Sequence, residues 1–147
     1  MLISQGGRTR RTSLFKRYDH VAIAVEDIDE AYRTFVDGLG AKVVDGKHVA
    51  GEGAYSVSHL VLGDLRIELI QPEGKDSFVA KFLKGRGSMV HHMTFQVDDL
   101  EETLRTLERR GFRIIGKDTR NPRWKTAFVH PSTAKGVLIQ MYESDET

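Results

Sequence analysis

Two segments of the chain, DHVAIAVEDIDEAYRTF (residues 19–35) and HHMTFQVDDLEETLRTL (residues 91–107), decide its fold, because one repeats the other at an offset of 72 residues. Six positions are identical under this offset, and they are His20/His92, Val25/Val97, Asp27/Asp99, Glu30/Glu102, Arg33/Arg105 and Thr34/Thr106. Matches this dense in so short a window indicate an internal duplication. The chain is therefore interpreted as two copies of one supersecondary unit.

Each copy is predicted to begin with a strand and to continue into a helix. At the start of each copy, hydrophobic residues alternate with smaller or polar ones, which is the period of a β-strand. Asp27 and its equivalent Asp99 are predicted helix N-caps, each followed three residues later by glutamate in a variant of the capping-box pattern. The helices are expected to run to about residues 38–40 and 111, where glycine favours a C-terminal stop.

Three further strand-like segments follow each helix. They are predicted at about 41–48, 55–62 and 65–71 in the first copy and at about 112–117, 125–130 and 137–142 in the second. A short helix is expected near 76–84. The predicted fold class is α+β, a single domain of two tandem βαβββ modules forming a cupped, mostly antiparallel sheet. Module one is assigned to residues 18–72, the linker to residues 73–89 and module two to residues 90–143.

The composition fits a globular protein with a basic N-terminal arm. A chain of 147 residues with 39% hydrophobic residues fits one domain with an ordinary core. The lack of cysteine excludes disulfides and cysteine-based metal sites and favours a reducing, cytoplasmic location. Residues 1–17 carry five basic residues and no acid, and are interpreted as an arm rather than a transit-like segment. The net charge of +1 and the lack of a long apolar run argue against nucleic-acid and membrane partners.

The repeat also brings four polar residues into matching positions. The strand LRIELI aligns with VLIQMY, so that Glu68 matches Gln140, and each lies 48 residues after His20 or His92. All four lie opposite the most hydrophobic alternation of their strands. If the two copies pack with pseudo-twofold symmetry, two imidazoles, a carboxylate and an amide converge in a set suited to zinc, cobalt, nickel or manganese. Taken singly, each residue is more often an ordinary strand-edge or solvent-facing group.

Residues 18–143 resemble the vicinal oxygen chelate superfamily, the glyoxalase fold, and within it the methylmalonyl-CoA epimerases. The segments that carry the resemblance are DHVAIAVEDIDEA, LGDLRIELIQP, GKDSFVAKFLKGRGSMVHHMTFQVDDL and FVHPSTAKGVLIQMYE. The resemblance implies a homodimer with one divalent metal and a small-molecule substrate of the CoA thioester class. The residues that it places around the metal are His20, Glu68, His92 and Gln140. It also implies a catalytic base at Glu52, in AGEGAY.

One position departs from the epimerase pattern, because Gln140 stands in GVLIQM where the family has glutamate. The resemblance implies transfer of the proton alpha to a thioester through an enediolate, and inversion requires a proton donor on each face of that carbon. Glutamine ligates through its amide oxygen but does not act as a base. Glu52 and Gln140 are the predicted catalytic positions, with Glu52 serving one face and the donor for the other face left open.

Two other classes of function stay open from the sequence alone. A lactoylglutathione lyase-like or oxygenase activity on the same fold is one, since two histidines and a glutamate also support iron. A non-catalytic metal- or ligand-binding protein is the other, since a fold does not fix a function. His91 is interpreted as a non-ligating neighbour of His92 that does not share a role with its repeat equivalent Asp19. His59 is expected either to line the cup or to meet solvent.

Overall fold

A computed structural model of the chain describes residues 13–146, so most of the predicted arm, residues 1–12, lies outside the described residues. The strands are β1 (Arg17–Ala24), β2 (Lys42–Ala50), β3 (Tyr55–Leu62), β4 (Leu65–Pro72), β5 (Met89–Gln96), β6 (Ile114–Asn121), β7 (Trp124–Val129) and β8 (Ile139–Ser144). The helices are α1 (Ile28–Tyr32), which continues as a π-helical segment over Arg33–Gly38, α2 (Phe78–Leu83) and α3 (Leu100–Arg109). None of the helices in this part of the chain is long and apolar enough to span a bilayer.

Both predicted strand–helix units are present, with the predicted caps. The Asp27 carboxylate accepts a hydrogen bond of 3.1 Å from the backbone N–H of Glu30, which begins α1. The Asp99 carboxylate accepts one of 3.0 Å from the backbone N–H of Glu102, which begins α3. Each carboxylate satisfies an N–H group that has no acceptor inside its helix. After α3, Gly111 takes a φ of 89°, a left-handed conformation that ends the helix as predicted.

The six further strands and the linker helix are also present, and their ends differ from the predictions by a few residues. The largest differences are in the second copy, where β6 continues to Asn121 and β8 begins at Ile139. The later start of β8 follows from a turn in which Lys135 and Gly136 have φ angles of 58° and 87°, which lie outside the β region of the backbone. The mixed α+β class and the paired βαβββ architecture are confirmed.

The chain forms two compact units, residues 19–93 and residues 94–146 with residues 13–18. In the first unit the strand order is β2-β3-β4-β1, with β1 parallel to β4 and the other neighbours antiparallel. In the second unit β8, β7 and β6 are consecutive antiparallel neighbours. His92 belongs to the first unit, although it begins the second copy of the sequence repeat.

The sheet of residues 19–93 is packed on both faces. On one face, α1 and its π-helical continuation cover Ile67 and Leu69, which are fully buried. Burial of each such side chain contributes about 1.5–3 kcal/mol to stability. On the other face, α2 packs on Ala24 and Ile70 through Val79 and Leu83, among others. Ile70 shares its face of β4 with Glu68, so α2 covers one end of the face that carries the predicted metal ligands.

Candidate metal centre

His20, Glu68 and His92 form a cluster of potential metal ligands. One donor atom from each residue lies within 4.8 Å of the other two. The centroids of the two imidazole rings are 5.8 Å apart, and Nε2 of His20 lies 3.5 Å from a carboxylate oxygen of Glu68. The two histidines and the carboxylate are largely removed from solvent, with the side chains of His20 and Glu68 only 13% and 17% exposed. The structure therefore brings together three of the four predicted ligands.

The strand register explains why His20 and Glu68 meet. The strands β1 and β4 run parallel, and Ala22 is the direct neighbour of Glu68. His20 precedes Ala22 by two residues and so projects from the same face of the sheet. His92 lies on the equivalent face of its own strand, as the matching alternation of the two copies predicts. The two-residue period of a strand thus predicts that these three side chains share a face before any contact is known.

The residues that precede His20 and His92 in the chain each contact the Nδ1 atom of the following imidazole ring. Nδ1 of His20 lies 2.8 Å from a carboxylate oxygen of Asp19, and Nδ1 of His92 lies 2.8 Å from Nδ1 of His91. Asp19 and His91 are equivalent under the offset of 72, so the interpretation that they share no role is wrong. Sequence reasoning missed this because the contact depends on side-chain rotamers, which the strand period does not specify. Outer partners of this kind fix the ring and direct the remaining nitrogen, Nε2, to a metal.

His59 is a further member of the site that the sequence analysis did not assign. Its Nε2 lies 3.0 Å from a carboxylate oxygen of Glu68, and its Nδ1 lies 2.8 Å from a carboxylate oxygen of Asp45. A sequence signal for the first contact exists in the two-residue turn at Gly63–Asp64. Counting outward equally from this turn pairs His59 with Glu68 on one face of the β3–β4 hairpin, and that pairing is observed.

The electrostatics of the cluster follow from these contacts. The hydrogen bond to Glu68 raises the pKa of His59 to about 9, against the opposing effect of burial and with help from Asp45. Burial acts to raise the pKa of Glu68, but the hydrogen bond from His59 and the charge of His20 outweigh it and lower the pKa below its ordinary value. Burial lowers the pKa of His91, which favours its neutral form. Glu68 is therefore an ionised carboxylate at neutral pH.

The other two predicted site residues lie elsewhere in the fold. Gln140 is on β8, in the second unit, and its Oε1 accepts a hydrogen bond of 3.0 Å from Thr94 Oγ1. Glu52 is exposed in the 3-10 turn Gly51–Gly53 between β2 and β3, with a left-handed φ of 58°. Such a conformation is uncommon for a residue with a side chain and tends to occur at functional positions. The metal-ligand roles of all four predicted residues and the catalytic role of Glu52 stay predictions.

The three clustered residues suit a divalent metal that prefers nitrogen and oxygen ligands. Nε2 of His20 is buried and has no hydrogen-bond partner among residues 13–146. A buried polar nitrogen without a hydrogen bond is costly, and coordination to a cation removes that cost. Two imidazoles and an ionised carboxylate match zinc, cobalt, nickel or manganese.

Comparison with known proteins identifies relatives over most of the chain. Residues 19–128 match the model of the Glyoxalase/Bleomycin resistance protein/Dioxygenase superfamily. The mitochondrial methylmalonyl-CoA epimerase of Bos taurus is 32% identical over 87% of this chain and 74% of its own length. An ethylmalonyl-CoA/methylmalonyl-CoA epimerase of Cereibacter sphaeroides is 30% identical over 85% of this chain and 96% of its own.

Solved structures of similar proteins give the same result. The crystal structure of methylmalonyl-CoA epimerase from Mycobacterium tuberculosis superposes with a TM-score of 0.77 at 31% identity, covering 92% of this chain and 93% of that one. Because these relatives are named as epimerases, the prediction of an enzyme of the isomerase class is confirmed. None of the relatives described above is named as a lyase or an oxygenase, so that alternative gains no support.

Proposed function

We propose, on the premise that this chain belongs to the Glyoxalase/Bleomycin resistance protein/Dioxygenase superfamily, that it is a metal-dependent epimerase of methylmalonyl-CoA-like thioesters. The observation that carries the proposal is the buried cluster of His20, Glu68 and His92 in a chain whose named relatives are epimerases of this substrate class. The homodimer implied by the resemblance remains a prediction, which sedimentation velocity checks.

The residues proposed to hold the metal are those of the cluster. His20 and His92 bind through Nε2, since Asp19 and His91 occupy the Nδ1 atoms. Glu68 supplies the anionic ligand, and Gln140 is proposed to add an amide oxygen. When bound, a divalent metal supplies Lewis acidity that stabilises negative charge developing on the oxygens of the thioester.

Glu52 is proposed to take the proton from the alpha carbon of the thioester. A carboxylate is a suitable base for an acidified C–H bond, and the exposed turn leaves Glu52 accessible to a substrate. Inversion requires delivery of a proton to the opposite face, and Gln140 does not ionise. The second donor is therefore water or a residue not yet assigned.

Proton exchange with solvent is the direct test of this function. Protein loaded with cobalt or zinc is incubated with one epimer of methylmalonyl-CoA in deuterated water, and the alpha position is followed by NMR. We expect solvent deuterium at the alpha carbon together with the opposite configuration, and loss of both after chelation. A protein that binds the thioester without exchange is a binding protein, and one that holds iron and consumes oxygen is an oxygenase. Either result excludes the epimerase.

A further inference from the structure

Three neighbouring strands of the first unit carry a continuous row of polar side chains. The register places Asp45 of β2 opposite His59 of β3, and His59 opposite Glu68 of β4. The two ring nitrogens of His59 contact the two flanking carboxylates, at 2.8 Å to Asp45 and 3.0 Å to Glu68. The row ends at Glu68, the anionic member of the ligand cluster.

Asp45 is itself held in place from several sides. Its Oδ1 accepts a hydrogen bond of 2.7 Å from the backbone N–H of His59, in addition to its contact with the ring. Its backbone carbonyl accepts a hydrogen bond of 2.8 Å from the hydroxyl of Ser58, which lies 2.6 Å from the hydroxyl of Tyr32. The pairing of β2 with β3 shifts register on both sides of Asp45, and such irregularities redirect side chains at functional positions.

We propose that His59 is a positioning residue for the metal ligand Glu68, and that Asp45 orients the ring of His59. The proposal rests on the proposed metal site. A carboxylate on a side chain with three rotatable bonds occupies many orientations, and a donor fixed at 3.0 Å holds one of them. Fixing the carboxylate in advance removes part of the entropy that metal binding otherwise costs.

The second copy of the fold shows that the sheet does not need this row to form. At the equivalent register of β6, β7 and β8, the residues are Ile115, Phe128 and Gln140. There the amide of Gln140 is held by Thr94, and the two neighbouring strands contribute hydrophobic side chains. A sheet with the same strand connections therefore forms with either the polar row of the first copy or the largely hydrophobic row of the second. The polar set is found beside the carboxylate of the ligand cluster, which assigns it a role in that cluster.

Cobalt binding to the full-length, metal-free protein tests the proposal without measuring catalysis. The main variant is His59→Phe, which copies Phe128 of the second unit, and His59→Gln keeps one N–H donor for Glu68. His48→Ala is the matched control, because His48 is exposed and its ring is centred 6.3 Å from that of His59. Affinity is measured by competition with a chelator, and the ligand field by the visible absorption of bound Co²⁺.

We expect His59→Phe to weaken Co²⁺ binding about 10- to 100-fold and to change the visible spectrum, since loss of an outer partner has effects of this size. His59→Gln recovers part of the affinity, Asp45→Asn shows a smaller loss, and His48→Ala matches the wild type. Wild-type affinity and spectrum in folded His59→Phe overturn the positioning role but leave the metal site intact. If His59→Phe does not fold, unchanged binding by both His59→Gln and Asp45→Asn overturns it. A wild type that binds no Co²⁺ overturns this proposal and the metal centre together.

Discussion

The two copies of the βαβββ unit share their topology but differ in the chemistry of their strands. In the first, Asp45, His59 and Glu68 are cross-strand neighbours that form a charged, hydrogen-bonded row. In the second, the same register carries Ile115, Phe128 and Gln140. The comparison separates what the fold requires from what the site requires. Alternation and turns build both sheets, whereas the ionised carboxylate of Glu68 and its hydrogen-bonded neighbours occur together in one copy.

The copies differ in a second way, in the residue that holds each histidine. Asp19 places a carboxylate against Nδ1 of His20, whereas His91 places an imidazole against Nδ1 of His92. A carboxylate partner makes the ring a stronger electron donor than a neutral imidazole partner does. The two copies therefore share the position of the residue that contacts Nδ1 but differ in how strongly that residue polarises the ring.

Replacing Glu52 with glutamine is expected to have the largest effect on catalysis. The equivalent β6–β7 connection, around Pro122 and Arg123, carries no acid, so this change removes an acid present in the first copy alone. We expect alpha-proton exchange to fall about 100- to 10,000-fold, the usual contribution of a general base. Cobalt affinity should stay at the wild-type value. Exchange at the wild-type rate would falsify the assignment of Glu52 as the base.

Replacing Glu68 with glutamine gives both copies an amide at the equivalent position and tests whether the carboxylate distinguishes them. The change removes the anionic member of the cluster and the acceptor for His59. We expect metal affinity to fall by at least roughly 100-fold, because the effect exceeds that of losing an outer partner alone. Isothermal titration with zinc or cobalt measures it. Equal affinity of the variant and the wild type contradicts the ligand role of Glu68.

The pH dependence of stability should also distinguish the two copies in the metal-free protein. Folding raises the pKa of His59 from 6.5 to about 9, so its stabilising contribution is complete below pH 6.5 and is lost as the pH rises through 9. For a partly exposed group this contribution is on the order of 2 kcal/mol. Urea unfolding of the wild type and of His59→Phe between pH 6 and 10 measures it.

The acidic side of the dependence of stability on pH comes from the carboxylates. Folding lowers the pKa of Glu68 and of Asp45, so their contribution is present above their unfolded pKa values and is lost as the pH falls through the folded ones. His59→Phe should flatten the decline in stability at alkaline pH, because phenylalanine, which the second copy has at Phe128, carries no titrating proton. An identical alkaline slope in the wild type and the variant means that His59 does not hold its proton through these contacts.

Replacing Gln140 with glutamate is expected to have the smallest effect. This change gives both copies a carboxylate at the equivalent position, whereas the replacement of Glu68 gives both an amide. A glutamate oxygen accepts the hydrogen bond from Thr94 as the amide does, so the fold should tolerate the change. We expect retained metal binding and epimerase activity equal to or higher than that of the wild type. Metal content after dialysis, together with the exchange rate, measures this. Loss of bound metal contradicts the placement of residue 140 among the ligands.

The sequence predicts the parts of the site that follow from strand period. His20, Glu68 and His92 are found from the repeat because alternation assigns each of them to a face without knowledge of any contact. Asp45 is not found in this way, since the register of β2 shifts on both sides of it and breaks the two-residue period. The Nδ1 contacts of Asp19 and His91 depend on rotamers rather than on period. The hairpin register that links His59 to Glu68 is readable from the sequence, but only when the Gly63–Asp64 turn is used to count it.

Nitrogen NMR of the histidine rings, with and without one equivalent of zinc, tests whether His20 and His92 bind a metal through Nε2. We expect the Nε2 resonances of His20 and His92 to shift on zinc binding, while their Nδ1 atoms stay protonated and hydrogen-bonded. His59 should keep protons on both nitrogens, since both face carboxylates. Zinc coordination by Nδ1, or by His59 in place of His20 or His92, would contradict the proposed ligand set.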